Sequence, residues 1–250
     1  MARVDGVTAI TTGALGFAVV DHEPLLRTRR LVVWAASEQQ VIKLVGGSGT
    51  GKTTAAVDAA ALAADKLGIR AVRVTVPHRP DPKTLYRYMA EQITGSCPDR
   101  SKDQLEQLIT ASLRAKRLVL IVDEAQNLNV AGLERLRTLW ELSPFGGVLV
   151  GDKRLYRLLE SSPQLDSRIA RSVDFEFMRG PALWTFLRQR DVVLVGVRDQ
   201  DLNEIERRVC HGNLRRWEHW LQALHELLAE TSWEGPPTLA HLDAATLEVR

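Results

Sequence analysis

Cysteine is scarce: Cys97 and Cys210 stand alone and far apart in 250 residues. They form neither a paired metal motif nor a disulfide framework, and they suit a reducing compartment. No apolar run approaches the roughly 20 residues a helix needs to cross a bilayer. The start of the chain lacks the basic-then-apolar order of a secretory leader, because Asp5 comes early and residues 8–20 are mixed. These absences lead us to expect a cytoplasmic protein that does not engage a membrane. An excess of one charge is lacking too. The 33 Lys+Arg against 31 Asp+Glu leave a net charge of +2. That excludes a uniformly basic surface and leaves room for a local basic patch. Internal repeats and low-complexity tracts are absent. With 45% hydrophobic and 26% charged residues, the chain reads as globular, with length for one large domain plus a small one.

What is present is led by one run. Residues 46–53 read Gly46-Gly47-Ser48-Gly49-Thr50-Gly51-Lys52-Thr53 and satisfy the phosphate-loop spacing in full. Glycines permit backbone conformations that a Cβ forbids, so successive N–H groups can curl around phosphates. Lys52 places an ammonium against the β- and γ-phosphates, and Thr53 offers a hydroxyl to Mg²⁺. Thr54 is counted with the loop as a nucleotide contact. An apolar run at 41–45 precedes the loop and an alanine-rich, helix-favouring stretch follows it.

From residue 41 onward, apolar β-type runs alternate with helical stretches. Strands are expected at 41–45, 70–76, 118–122, 148–150 and 173–177, with helices at 52–67, 83–94, 102–115, 130–142 and 153–160. A helix at 25–36 precedes them. Unbroken apolar runs suit strands buried on both faces, so the expectation is a parallel α/β sheet flanked by helices. After Gly180-Pro181 the pattern turns helical: 182–190, 201–209, 214–230 and 238–248. The expected division is therefore an N-terminal segment 1–40, a nucleotide-binding α/β domain 41–180 and a small all-helical lid 181–250.

Val122-Asp123-Glu124 closes the strand at 118–122. A carboxylate at the end of a buried strand can hold Mg²⁺, so Asp123 is the expected partner of Thr53. Glu124 stands where a general base would polarise the attacking water. The absence of an N-K-x-D run favours adenine over guanine, hence ATP with Mg²⁺. The tryptophans Trp184, Trp217, Trp220 and Trp233 are read as packing within the helical part, ahead of stacking on bases.

The run Asp123-Glu124-Ala125-Gln126-Asn127-Leu128, behind a loop of this kind, resembles the AAA+ ATPases. More narrowly it resembles the transposition-regulator branch of MuB-like, TnsC-like and TniB-like proteins, with ExeA-type secretion ATPases nearby. The resemblance spans roughly residues 25–230. It implies a central parallel sheet and a helical lid. It places Asp152 where the family carries its sensor 1 residue, usually Asn, Ser or Thr. A carboxylate cannot donate there unless protonated, and a loop aspartate capping the helix at 153–160 is the other reading of Asp152. It places Arg168 first, and Arg171 second, as the arginine finger that reaches a neighbouring subunit's site. Gly212-Asn213-Leu214-Arg215 resembles the sensor 2 motif and puts Arg215 on the γ-phosphate.

The resemblance further implies ATP-dependent rings or filaments on double-stranded DNA, and recruitment or activation of a transposase, with a target-selection protein as a further partner. Hydrolysis, slow or stimulated by DNA or a partner, would release the assembly. Arg79, Lys83, Thr84 and Lys102 are the expected phosphate contacts. A helicase loader, a replication initiator, a secretion-associated switch and an ATP-binding scaffold without turnover share the same nucleotide residues.

Overall fold

A computed structural model describes residues 20–78, 80–96, 99–115 and 117–249. Arg79, Cys97, Lys116 and residues 1–19 of the N-terminal segment lie outside them. Contacts divide the chain into two units, and the loop 47–51 groups with the second.

The first unit is built on a five-stranded sheet. In chain order it comprises α1 (Glu23–Glu38), β1 (Val41–Gly46), α2 (Lys52–Leu67), β2 (Arg70–Thr75), α3 (Pro82–Thr94) and α4 (Lys102–Ala115). Then follow β3 (Leu118–Asp123), α5 (Val130–Leu142), β4 (Gly146–Gly151), α6 (Arg154–Glu160), α7 (Pro163–Asp166) and β5 (Ile169–Phe175). The strand order is β2-β3-β4-β1-β5, and the β2–β3, β3–β4 and β4–β1 ladders are parallel.

Every residue of β3 and β4 is buried, as their unbroken apolar sequences predict. One sheet face packs on Leu85, Met89 and Ile93 of α3, Leu105 and Ile109 of α4, and Leu133 and Leu136 of α5. α1 and α2 cover the other face. The alanines of α2 (Ala55, Ala56, Ala59, Ala60, Ala63) are buried and let the helix lie close to its neighbours. A 2.6 Å ion pair between Arg29 and Asp58 ties α1 to α2.

In the first unit two elements differ from the sequence expectation. β5 spans Ile169–Phe175 rather than 173–177. It is an edge strand whose burial alternates, so its signal is period two and not an unbroken apolar run. The short α7 was not expected; Pro163 opens it.

The second unit, beyond β5, is helical: α8 (Gly180–Arg190), α9 (Asp199–Ile205), α10 (Leu214–Glu230) and α11 (Leu239–Glu248). The expected helix at 201–209 is instead α9 followed by a π-helical turn at Glu206–Cys210. Trp217 and Trp220 are almost wholly buried, and Trp184 lies edge-on to Trp217 at 6.2 Å. Trp217 also donates from Nε1 to Glu206 at 3.0 Å. Trp184, Trp217 and Trp220 therefore belong to the core of this unit, whereas Trp233, expected to pack with them, is 44% exposed. Among the described residues no helix is long and apolar enough to cross a membrane. Trp217→Ala is expected to destabilise the second unit by about 3–5 kcal/mol. Faster amide exchange along α10, with the strands of the first unit unchanged, is the measurement that checks this.

Candidate functional site

β3 delivers Asp123 to the carboxyl end of the sheet, where only 3% of the residue is exposed. A buried carboxylate must be hydrogen-bonded or ion-paired. Its Oδ1 accepts from the Thr53 hydroxyl at 3.2 Å and from the Glu124 amide at 3.0 Å. Its Oδ2 accepts from Arg73 Nη2 at 2.6 Å and Nε at 3.1 Å. The parallel register sets Thr75 opposite Asp123, so Arg73, two residues earlier, projects from the same face of β2. Lys52 and Thr53 open α2. A hydroxyl and a carboxylate oxygen this close form a hard-oxygen pair suited to Mg²⁺. Among the described residues no cluster of three or more His, Cys, Asp or Glu side chains suggests a different metal site.

Glu124 follows with φ 55° and ψ 36°, a left-handed conformation uncommon for a non-glycine residue. It turns the chain into a 3₁₀ segment, Ala125–Asn127. Gln126 Nε2 donates to Glu124 Oε2 at 2.5 Å, and Gln126 Oε1 accepts from the Asp152 amide at 3.2 Å. Asn127 Nδ2 donates to the Val76 carbonyl at 3.0 Å, and the Val76 amide donates to the Asp123 carbonyl at 2.9 Å.

Asp152 stands at the end of β4. Its Oδ1 accepts from the Arg154 amide at 2.8 Å, and its Oδ2 pairs with Arg154 Nη2 at 2.8 Å. Burial pushes its carboxyl pKa up, but the Arg154 hydrogen bonds and charge, with a contribution from Lys52, bring the net value below the usual range. Asp152 is therefore an ionised acceptor that anchors the start of α6. The cation beside it is Arg154, whose guanidinium also feels the charge of Glu124.

In the second unit the loop 47–51 is pinned by the residues that open α10. The Leu214 amide donates to the Gly49 carbonyl at 2.8 Å, and Asn213 Nδ2 donates to the Ser48 carbonyl at 3.2 Å. Asn213 Oδ1 caps α10 through the amides of Arg215 and Arg216. Gly49 has φ 75°, and a Cβ there would fall 2.0 Å from Asn213 Oδ1, so both conformation and space demand glycine. Within the loop, the Thr50 hydroxyl donates to the Gly47 carbonyl at 2.9 Å. Arg215 is exposed in the first turn of α10, next to the residue that bonds the loop. Arg216 is exposed as well, and its Nη1 donates to the Val209 carbonyl.

The remaining sequence candidates lie elsewhere. Arg168 is half-exposed, 3.5 Å from Glu141 and over the Trp140 ring. Arg171 lies within β5 and stacks over Trp34 at 5.4 Å. The Thr84 hydroxyl is engaged by Asp81, which caps α3. Lys83 is exposed and 3.8 Å from Asp99, and Lys102 pairs with Asp103 at 3.3 Å. Sequence reasoning overlooked Arg73, Arg154 and the two-sided role of Asn213. Period-two patterning marks Arg73 only as an ordinary edge-strand residue.

A family model described as an AAA domain matches residues 35–159. The Mu-like prophage FluMu DNA transposition protein B of Haemophilus influenzae is 31% identical over 138 residues, covering 52% of this chain and 47% of that protein. The chain thus spans about half the length of the curated relative it matches. Among solved structures, the Aeropyrum pernix ORC2 protein in its ADPNP–ADP complexes matches with a TM-score of 0.70 at 19% identity, over 90% of this chain and 66% of that one. The Aeropyrum pernix ORC1 protein in complex with DNA matches with a TM-score of 0.71 at 20% identity, over 92% and 66%. At these identities the likeness to the solved structures is one of fold.

Arg73→Ala would leave the buried Oδ2 of Asp123 without its cation. Because Arg73 is partly exposed, the expected loss is about 1–3 kcal/mol rather than the full cost of breaking a buried pair. A lowered chemical-denaturation midpoint of the nucleotide-free protein, with Arg73→Lys intermediate, is the expected readout.

Proposed function

The chain belongs to the AAA domain family, with the matched residues 35–159 carrying the loop, Asp123 and Glu124, and we propose that it is an ATP-dependent, DNA-binding regulator of DNA transposition. The observation that carries the nucleotide chemistry is the 3.2 Å contact between the Thr53 hydroxyl and the buried Asp123. These two residues would hold Mg²⁺, which when bound neutralises charge on the β- and γ-phosphate oxygens. Lys52 and the amides of 46–51 would bind the phosphates. Glu124 would accept a proton from water as the water oxygen attacks the γ-phosphorus. The bond from that phosphorus to the oxygen retained by ADP breaks, and ADP and phosphate leave. Asp152, held ionised by Arg154, would not donate to the γ-phosphate; Arg215 is the proposed γ-phosphate contact from α10.

The transposition half of this reading is supported by 31% identity to a DNA transposition protein. By the same reading the chain assembles with copies of itself on double-stranded DNA in an ATP-dependent manner. Arg168, or Arg171, reaches a neighbour's γ-phosphate, and Arg79, Lys83, Thr84 and Lys102 meet DNA phosphates. A transposase, with a target-selection protein, is the proposed downstream partner, and hydrolysis releases the assembly. Such contacts would be independent of sequence and weakened by salt.

Electron microscopy of the protein with duplex DNA and a non-hydrolysable ATP analogue is expected to show rings or filaments. Their absence, or their formation without nucleotide, would overturn the assembly reading. Glu124→Gln is expected to slow ATP turnover about a hundredfold or more while leaving ATP affinity intact. A rate close to that of the unaltered protein would remove Glu124 as the base.

A further inference from the structure

We propose that Gln126 is a positioning residue for ATP hydrolysis, holding one oxygen of Glu124 and tying it to the end of β4. The proposal rests on the reading of Glu124 as general base. A glutamate side chain has three rotatable bonds, and an untethered carboxylate spends much of its time off the line of attack. Misplacing a reacting group by about 1 Å can cost roughly a hundredfold in rate.

Three observations converge on Gln126. Its Nε2 lies 2.5 Å from Glu124 Oε2, so the amide donates to one carboxylate oxygen and leaves the other for water. Its Oε1 accepts from the Asp152 backbone amide at 3.2 Å, fixing the side chain at its far side. Third, the end of β4 is shaped to receive it: a Cβ on Gly151 would fall 2.7 Å from Gln126 Oε1. Any larger residue there would displace the amide. The left-handed backbone at Glu124 brings residues 124 and 126 to the same side of the turn, and Asn127 anchors the other end of that turn on Val76.

The arrangement is directional. An amide can donate to Glu124 and accept from Asp152 at once, whereas a carboxylate can do only the second. Gln126→Glu therefore separates the two halves. It keeps an oxygen for the Asp152 amide and sets an acceptor, instead of a donor, against Glu124. Gln126→Ala removes both.

Three measurements on the full chain test the proposal: steady-state ATP turnover, equilibrium binding of a fluorescent ATP analogue, and amide exchange at Asp152 without nucleotide. Both variants are expected to lose about ten- to a hundredfold in kcat, with nucleotide affinity changed by less than about twofold. The Asp152 amide should exchange faster in Gln126→Ala and remain protected in Gln126→Glu. Turnover near the unaltered rate in Gln126→Glu overturns the proposal, and so does a fall in affinity that matches the fall in rate. If Glu124→Gln itself turns over normally, the general-base reading has failed and Gln126 has nothing to position. If Glu124→Gln stalls while both Gln126 variants turn over normally, the positioning role alone has failed.

Discussion

A single carboxylate ends one of the two wholly buried strands of the sheet, and much of the local architecture exists to make that tolerable. Asp123 is 3% exposed. An isolated charge in such a place would be strongly disfavoured. Here it is answered from three directions: the Thr53 hydroxyl at the start of α2, the Arg73 guanidinium from β2, and the amide of the next residue. Each donor fixes a different element, so the need to stabilise one charge aligns a helix, an edge strand and a turn at the same edge of the sheet.

That edge is also where an open α/β sheet leaves a crevice for ligands. β1 lies between β4 and β5, and the chain leaves it toward β2 on the far side of β3 and β4. The phosphate loop follows β1 directly, and the carboxyl ends of β3 and β4 carry Asp123, Glu124 and Asp152. Hydrogen bonds from the turn at 125–127 reach both the end of β2 and the end of β4. Neighbouring strand ends are thus coupled through side-chain amides as well as through the sheet's own ladders.

The sheet and the nucleotide loop were legible because their signals are local. Apolar runs marked β1, β3 and β4, alternating valines marked β2, and the glycine spacing with Lys52 and Thr53 marked the loop. Asp123 and Glu124 were legible because they sit at the end of such a run. What escaped was relational. Arg73 acquires its role only through the β2–β3 register. Asn213 meets Ser48 from 165 positions away, a pairing that no window of sequence contains. β5 was placed late because an alternating edge strand looks unlike its buried neighbours. Asp152 had two readings in the sequence; in the structure its carboxylate accepts from the amide of Arg154 at the start of α6.

The grip of Asn213 and Leu214 on residues 48 and 49 has a bearing on how this chain can be dissected. Two residues of the loop are held by the start of a helix far along the chain, and residues 47–51 group with the second unit, which is therefore not one contiguous stretch. A fragment stopped after β5 would contain the whole glycine loop and its internal Thr50–Gly47 hydrogen bond, but neither of the bonds from Asn213 and Leu214. A fragment begun at α8 would keep the Asn213 cap of α10 but leave the Leu214 amide and the Asn213 Nδ2 without their loop acceptors. Protein engineers wishing to transplant this module would have to move it entire, because any single cut between residues 51 and 213 parts the loop from its clasp.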